Sequence, residues 1–190
     1  MAKTLYLMRH GETLFNVRRK IQGWCDSPLT QKGIDQAKVA GQYFSKLPID
    51  HAYSSTSERC CDTIEIILKN RIPYQRVKGL KEMNFGVFEG ESEDLNPKRE
   101  EYETFFVPYG GEVASAVGKR MLKTLTDIME KPDHQNVLAV SHNGACVDFL
   151  KALQVTTKDL KNGFPNGSVL KFEYQDHQFK LLEVVRFNKD

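Results

Sequence analysis

The chain has 190 residues, 40% hydrophobic and 27% charged, which suits one globular domain and excludes disorder as the whole description. Its formal net charge is +2, so no overall field favours nucleic acid or an acidic membrane, and any preference for anions must come from a local site. Cys25, Cys60, Cys61 and Cys146 lack the spacing of a disulfide framework or a zinc site. The first apolar run is about four residues, short of a secretory signal, and no stretch approaches the ~20 apolar residues of a membrane span. A reduced cytoplasm is the expected location.

The first predicted element is a buried strand over 5–8, stopped by Arg9-His10-Gly11-Glu12. Residues 9–28 read as a loop holding Gly11, Gly23, Asp26 and Pro28. A helix is predicted over 30–46, with Thr30 as N-cap and Ile34, Ala37, Ala40, Gly41 and Phe44 on its buried face. His51-Ala52-Tyr53 reads as a short strand. Ser57 is the expected cap of a helix over 58–70, with Cys60 or Cys61, Ile64, Ile67 and Leu68 inward.

Residues 71–111 are the least regular. "NPKREEYE" reads as a short charged helix and "PYGGE" as a turn before an amphipathic helix over 112–129. "NVLAV", 136–140, is an uninterrupted apolar strand of the kind buried on both faces of a parallel sheet. "SHNGA" ends it, and a helix to about 153 follows. Asn166-Gly167-Ser168 reads as a turn. Residues 168–174 and 179–187 alternate around "QDHQ" as a hairpin, either a sheet edge or a homodimer contact. Alternating strands and helices predict an α/β fold, with layers of helix around a mostly parallel central sheet.

Three of these strands end in polar residues: at Arg9-His10-Gly11, at Ser54-Ser55 with Arg59 one turn into the next helix, and at Ser141-His142-Asn143-Gly144. In open α/β sheets ligands bind beyond the carboxyl ends of the strands. If the strands are neighbours, two arginines, two histidines and helix N-termini converge there, an arrangement suited to a phosphoryl group. A neutral imidazole can attack phosphorus, and arginines can balance the equatorial oxygens. Glu82, in the Gly-containing "LKEMNFGVFEG", is the candidate proton donor and needs a raised pKa for that task.

These motifs also carry a resemblance. "LYLMRHGETLFN" resembles the signature of the histidine phosphatase superfamily, in the branch of the cofactor-dependent phosphoglycerate mutases. "QGWCDSPLTQKGIDQA", "YSSTSERCCDTIE", "LKEMNFGVFEGE" and "VLAVSHNGA" resemble its later motifs in order, from residue 5 to about 150. The resemblance implies a phosphoglycerate mutase-like three-layer α/β/α sandwich formed by residues 1–190 as one domain, with 71–111 as a substrate-covering insertion. It implies His10 as the phosphorylated nucleophile and Arg9, Arg59 and His142 as the rest of the phosphate pocket, with Asn16 adding an amide. Glu82 would be the acid, then the base. Thr13, Gln22 and Gly23 would lie near the pocket, and the Asn143 and Gly144 backbone would donate N–H groups. No metal or organic cofactor is implied. The implied partner is a small phosphorylated substrate, with no nucleic acid and no membrane. Val113 stands where serine is frequent after "GGE", and Asn143 where glycine is frequent after the second histidine.

Blander readings compete at single positions. Arg18-Arg19-Lys20 either steers a phosphorylated substrate or is a solvated loop. Lys98 and Arg99 either grip a carboxylate or pair with the glutamates that follow. Phe85, Phe88, Phe105, Phe106 and Tyr109 either wall an apolar pocket or form the core of the irregular segment. His51, His134 and His177 read as surface or turn residues. The short, glutamate-rich stretch 91–111 favours a phosphatase over a phosphoglycerate mutase. The reading from another class is a catalytically silent phosphate-binding module. A nucleotide-binding domain fails for want of a glycine-rich phosphate loop.

Overall fold

A computed structural model describes residues 2–98, 100–155, 160 and 164–187. Four strands run parallel: β1 (Lys3–Arg9), β2 (His51–Ser54), β3 (Tyr74–Arg76) and β4 (Asn136–Ser141). β5 (Val169–Gln175) and β6 (Gln178–Val185) add an antiparallel hairpin, and the sheet order is β3-β2-β4-β1-β5-β6. The hairpin is thus an edge of the sheet. No helix among the described residues is long and apolar enough to cross a membrane.

The central strands are apolar on both faces because both faces are covered. Leu5 and Leu7 of β1, with Val137 and Ala139 of β4, pack under α4 (Ala114–Met129) and α5 (Asn143–Ala152). Tyr6, Met8, Leu138 and Val140 pack on the other side, under α2 (Gln31–Phe44) and α3 (Glu58–Leu68). This is the three-layer α/β/α arrangement, with the period-2 alternation of each strand feeding two separate cores.

Local predictions hold in part. Thr30 caps α2 through its side chain, which accepts from Gly33 N. Gln36 lies on the buried face of that helix and Ile34 is only half-buried. Ser57 occupies the N-cap of α3 but makes no side-chain cap bond; Asp26 Oδ2 instead accepts from Glu58 N at 2.6 Å, so a distant loop supplies the cap. Val113 at the N-cap of α4 likewise offers no side-chain bond. The loop over 9–28 contains a one-turn helix, α1 (Leu14–Val17), closed by a capping box between Thr13 and Asn16. "NPKREEYE" is turns rather than a helix where described; Arg99 lies outside the described residues.

The segment 71–111 divides. Tyr74–Arg76 joins the sheet as β3. The rest is an excursion whose neck closes at Asn84 and Glu112. Glu112 N donates to Asn84 O at 2.9 Å, and Asn84 N donates to Glu112 Oε2 at 2.8 Å. Within it Phe85, Phe88, Tyr102, Phe105, Phe106 and Tyr109 stack edge to face or tilted, at centroid distances of 4.9–6.4 Å. The aromatic run is chiefly the core of the excursion.

α4 meets α5 closely at Gly118, where an added Cβ would lie 2.5 Å from the Asp148 carbonyl oxygen. Replacing a mid-helix glycine by alanine ordinarily gains about 1 kcal/mol. Here the clash is with backbone and cannot be relieved by a rotamer. Gly118→Ala is therefore expected to destabilise the fold, by about 1–3 kcal/mol, in denaturant unfolding. A gain in stability would show that the two helices separate freely.

Candidate active site

β1 and β4 pair in register, Arg9 opposite Ser141, and His10 N donates to Ser141 O at 3.0 Å. The residues that follow, His10 and His142, therefore leave the sheet side by side, with ring centroids 5.3 Å apart. His10 Nδ1–H donates to the Gly11 carbonyl at 2.8 Å. That bond selects the tautomer whose Nε2 carries a lone pair. Burial, then the Arg59 and Arg9 charges, hold the His10 pKa well below its ordinary value. The imidazole is neutral at physiological pH.

Arg59 is fully buried. Its Nη1 donates to Cys25 O and Asp26 Oδ1, both at 2.9 Å, and its Nη2 to Gly23 O at 2.8 Å and His142 Nδ1 at 2.9 Å. His142 accepts at Nδ1, so its Nε2–H donates to Ser55 Oγ at 2.8 Å. Burial and Arg59 hold the His142 pKa well below its ordinary value too. Arg9 Nη1 donates to Phe164 O at 2.6 Å, while its Nε is buried with no partner among the described residues.

Glu82 docks on the N-terminus of α5. Its Oε1 accepts from Ala145 N at 2.7 Å and Met83 N at 2.9 Å, and its Oε2 from Gly144 N at 2.9 Å. Burial nevertheless raises the Glu82 pKa, against the lowering effect of those N–H groups and of Arg59. Residue 144 must be glycine for this contact, since a Cβ there would sit 2.7 Å from Glu82 Oε1. Arg120 of α4 holds the same segment from behind, donating to the carbonyls of Gly79, Lys81 and Glu82.

Arg9, His10, Asn16, Gln22, Glu82, Asn143 and Gly144 line one cavity of about 140 Å³. Of the residues expected near the pocket, Thr13, Gly23, Arg59 and His142 stand behind these walls. Thr13 Oγ1 donates to Gln22 Oε1 at 2.7 Å, leaving Gln22 Nε2 buried and without a partner among the described residues. Asn16 Oδ1 accepts from Thr13 N and Asn166 Nδ2, which fixes its amide orientation. The Gly144 N–H is directed at Glu82 rather than left for a ligand. The cavity floor thus combines a neutral imidazole, an arginine, donor amides and a buried carboxyl.

The sequence model of the histidine phosphatase superfamily (branch 1) matches residues 5–186. The chain belongs to the histidine phosphatase superfamily. The probable phosphoglycerate mutase GpmB of Proteus mirabilis is 37% identical over 147 residues, 73% of this chain and 68% of that one. Among solved structures, YhfR of Bacillus stearothermophilus superposes with a TM-score of 0.83 at 31% identity, covering 94% of each chain. A phosphoserine phosphatase from Entamoeba histolytica, solved with 3-phosphoglyceric acid, gives 0.80 at 26% identity, covering 95% of each.

Within this histidine phosphatase fold the cavity also takes in Lys20, Ile21, Phe85, Glu93, Asn96 and Tyr102. Lys20 is the member of the basic run that reaches it; Arg19 pairs outward with Asp94 at 2.8 Å. Lys98 is exposed and outside the lining. Sequence reasoning missed Asn166, whose Nδ2 donates to His10 O at 3.2 Å, and Gly167, whose N–H meets the Arg9 and His10 carbonyls at 3.2 Å. The turn signal was visible in the sequence; its place against β1 was not.

His10 and His142 are both held below the ordinary histidine value of 6.5. Nitrogen-resolved NMR is expected to show both rings still neutral, His10 as the Nδ1–H tautomer, when pH falls through that value. Protonation of either ring near 6.5 would contradict the buried, arginine-flanked geometry.

Proposed function

We propose that this histidine phosphatase superfamily member is a metal-independent phosphomonoester hydrolase acting through a phosphohistidine on His10. One observation carries the reading: the neutral His10 imidazole, its free nitrogen fixed as Nε2, shares a small cavity with the buried Glu82 carboxyl. Nε2 attacks phosphorus, the N–P bond forms and the P–O bond to the leaving group breaks. The departing oxygen takes its proton from Glu82. Water then attacks the phosphohistidine and gives a proton to the Glu82 carboxylate, releasing orthophosphate and restoring neutral His10.

Arg9, Gln22 and Asn16 supply the donors that would hold the phosphoryl oxygens in this reading. Arg59 and His142, tied to each other behind the wall, would add charge and set the ring positions. The cavity volume favours a small phosphorylated substrate.

A mutase must hold a sugar-acid carboxylate and keep water from the phosphoenzyme. Beyond Arg9 the described lining offers one cationic side chain, Lys20, and sets Glu93 in the same lining. That favours hydrolysis. The mutase reading is retained because the Proteus mirabilis relative bears that name. A silent phosphate-binding module is disfavoured because Arg9, His10, Arg59, Glu82 and His142 are all present together.

The test is phosphate release from a panel of phosphomonoesters with chelator present, including 3-phosphoglycerate with and without 2,3-bisphosphoglycerate. Release is expected to persist, to vanish in His10→Ala and to fall about 10²–10⁴-fold in Glu82→Gln. Release surviving in His10→Ala would refute the phosphohistidine. Interconversion of 3- and 2-phosphoglycerate with little release would make the enzyme a mutase.

A further inference from the structure

The end of the sheet opposite His10 carries a second cluster of chemistry-bearing side chains. His51 opens β2, and Asp133 and His134 lie just before β4. The two imidazoles stack face to face, centroids 3.6 Å apart and planes 12° from parallel. Asp133 touches both: Oδ1 lies 2.8 Å from His134 Nδ1 and Oδ2 lies 3.3 Å from His51 Nε2. One donor atom from each of the three residues lies within 4.8 Å of the other two.

We propose that His51, Asp133 and His134 form a site for a divalent transition ion of the zinc class. Two imidazoles and a carboxylate are a donor set that zinc favours, with a fourth position left to water. The outer contacts fit the same role. Asp50 Oδ1 accepts from His51 Nδ1 at 2.7 Å, and Asp50 is itself held by Gln135 N and Asn136 N. Its bond selects the His51 tautomer with a free Nε2. Tyr53 Oη lies 2.6 Å from His134 Nε2. A ligating histidine typically gives its other nitrogen to such a partner.

On binding, the single imidazole proton of His134 would move from Nδ1 to Nε2 through solvent, with none released overall; Nδ1 would then give its lone pair to the ion and the Nε2–H would donate to Tyr53 Oη. His134 is buried and His51 half-buried; because their rings stack nearly parallel, His51 would have to turn out of the stack, about its bond to Asp50, to aim Nε2 at the point that His134 Nδ1 faces. The charges allow it: Asp50 and Asp133 outnumber the Lys131 ammonium, which donates to Tyr53 Oη at 2.8 Å. The site would pin the start of β2 to the α4–β4 connection. It shares no residue with the cavity at His10 and does not depend on the reading of that cavity.

The measurement is calorimetric titration of the full chain with Zn²⁺, with thermal unfolding alongside. Wild type and His10→Ala are expected to take up one ion each and to melt higher with zinc. His51→Ala should lose both effects. Asp133→Asn should weaken uptake without emptying the core, and Asp50→Asn should weaken it about tenfold to a hundredfold. No zinc uptake by wild type would overturn the site. So would uptake that His51→Ala and Asp133→Asn leave unchanged, or uptake lost in His10→Ala.

Discussion

The pairing of β1 with β4 is the constraint on which the rest depends. Both strands are apolar on both faces, and both end in a polar residue followed by a histidine. A slip of one residue in register would exchange Leu5 and Leu7 with Tyr6 and Met8 between the two cores. It would also part His10 from His142. Packing and chemistry therefore select the same register. The register set by the two cores places the two histidine backbones side by side, and bonds with Gly11, Arg59 and Ser55 orient their rings.

The site gathers positive charge in a buried place with few acids to answer it. Arg59 is answered by carbonyl oxygens of the 22–25 loop and by Asp26, and Arg9 by Phe164 O. Taking a guanidinium out of water costs several kcal/mol unless its donors are met. These partners meet the Nη donors named above, while Arg9 Nε and Arg59 Nε, like the Gln22 amide Nε2, stay buried without a partner among the described residues. Burial, and after it the Arg59 charge, depresses both histidines, while burial raises Glu82. One low-dielectric environment thus moves the two kinds of group in opposite directions, each toward its uncharged form.

Much of this was legible in the sequence because it is written in local order. Strand ends, the cap at Thr30, the apolar runs and the ordered motifs all follow from neighbouring residues. What escaped depends on distance along the chain. Asp26 caps a helix that Ser57 was expected to cap. Asn166 and Phe164 close on Arg9, His10 and Asn16 from more than 140 positions away. His134 is buried by Tyr53 and His51, which no periodicity around residue 134 announces. Glu89 is a similar case: its carboxylate gathers the N–H groups of Gly23, Trp24, Cys25 and Phe85, joining two loops that read as separate.

The closed neck at Asn84 and Glu112 has one more consequence. Its two backbone-anchored bonds, with Arg120 gripping both Glu112 and the Glu82 carbonyl, hold Glu82 in place. Closing a longer loop on a fixed neck is cheap: the entropy grows with the logarithm of length, about 0.6 kcal/mol for each doubling. Residues added at an exposed turn of the excursion, clear of its aromatic core and of Glu89, would cost about this little in closure entropy, less than one lost methylene in either core. The fold therefore separates what must stay rigid from what can be rewritten, and the cavity's outer wall is built from the part that can be rewritten.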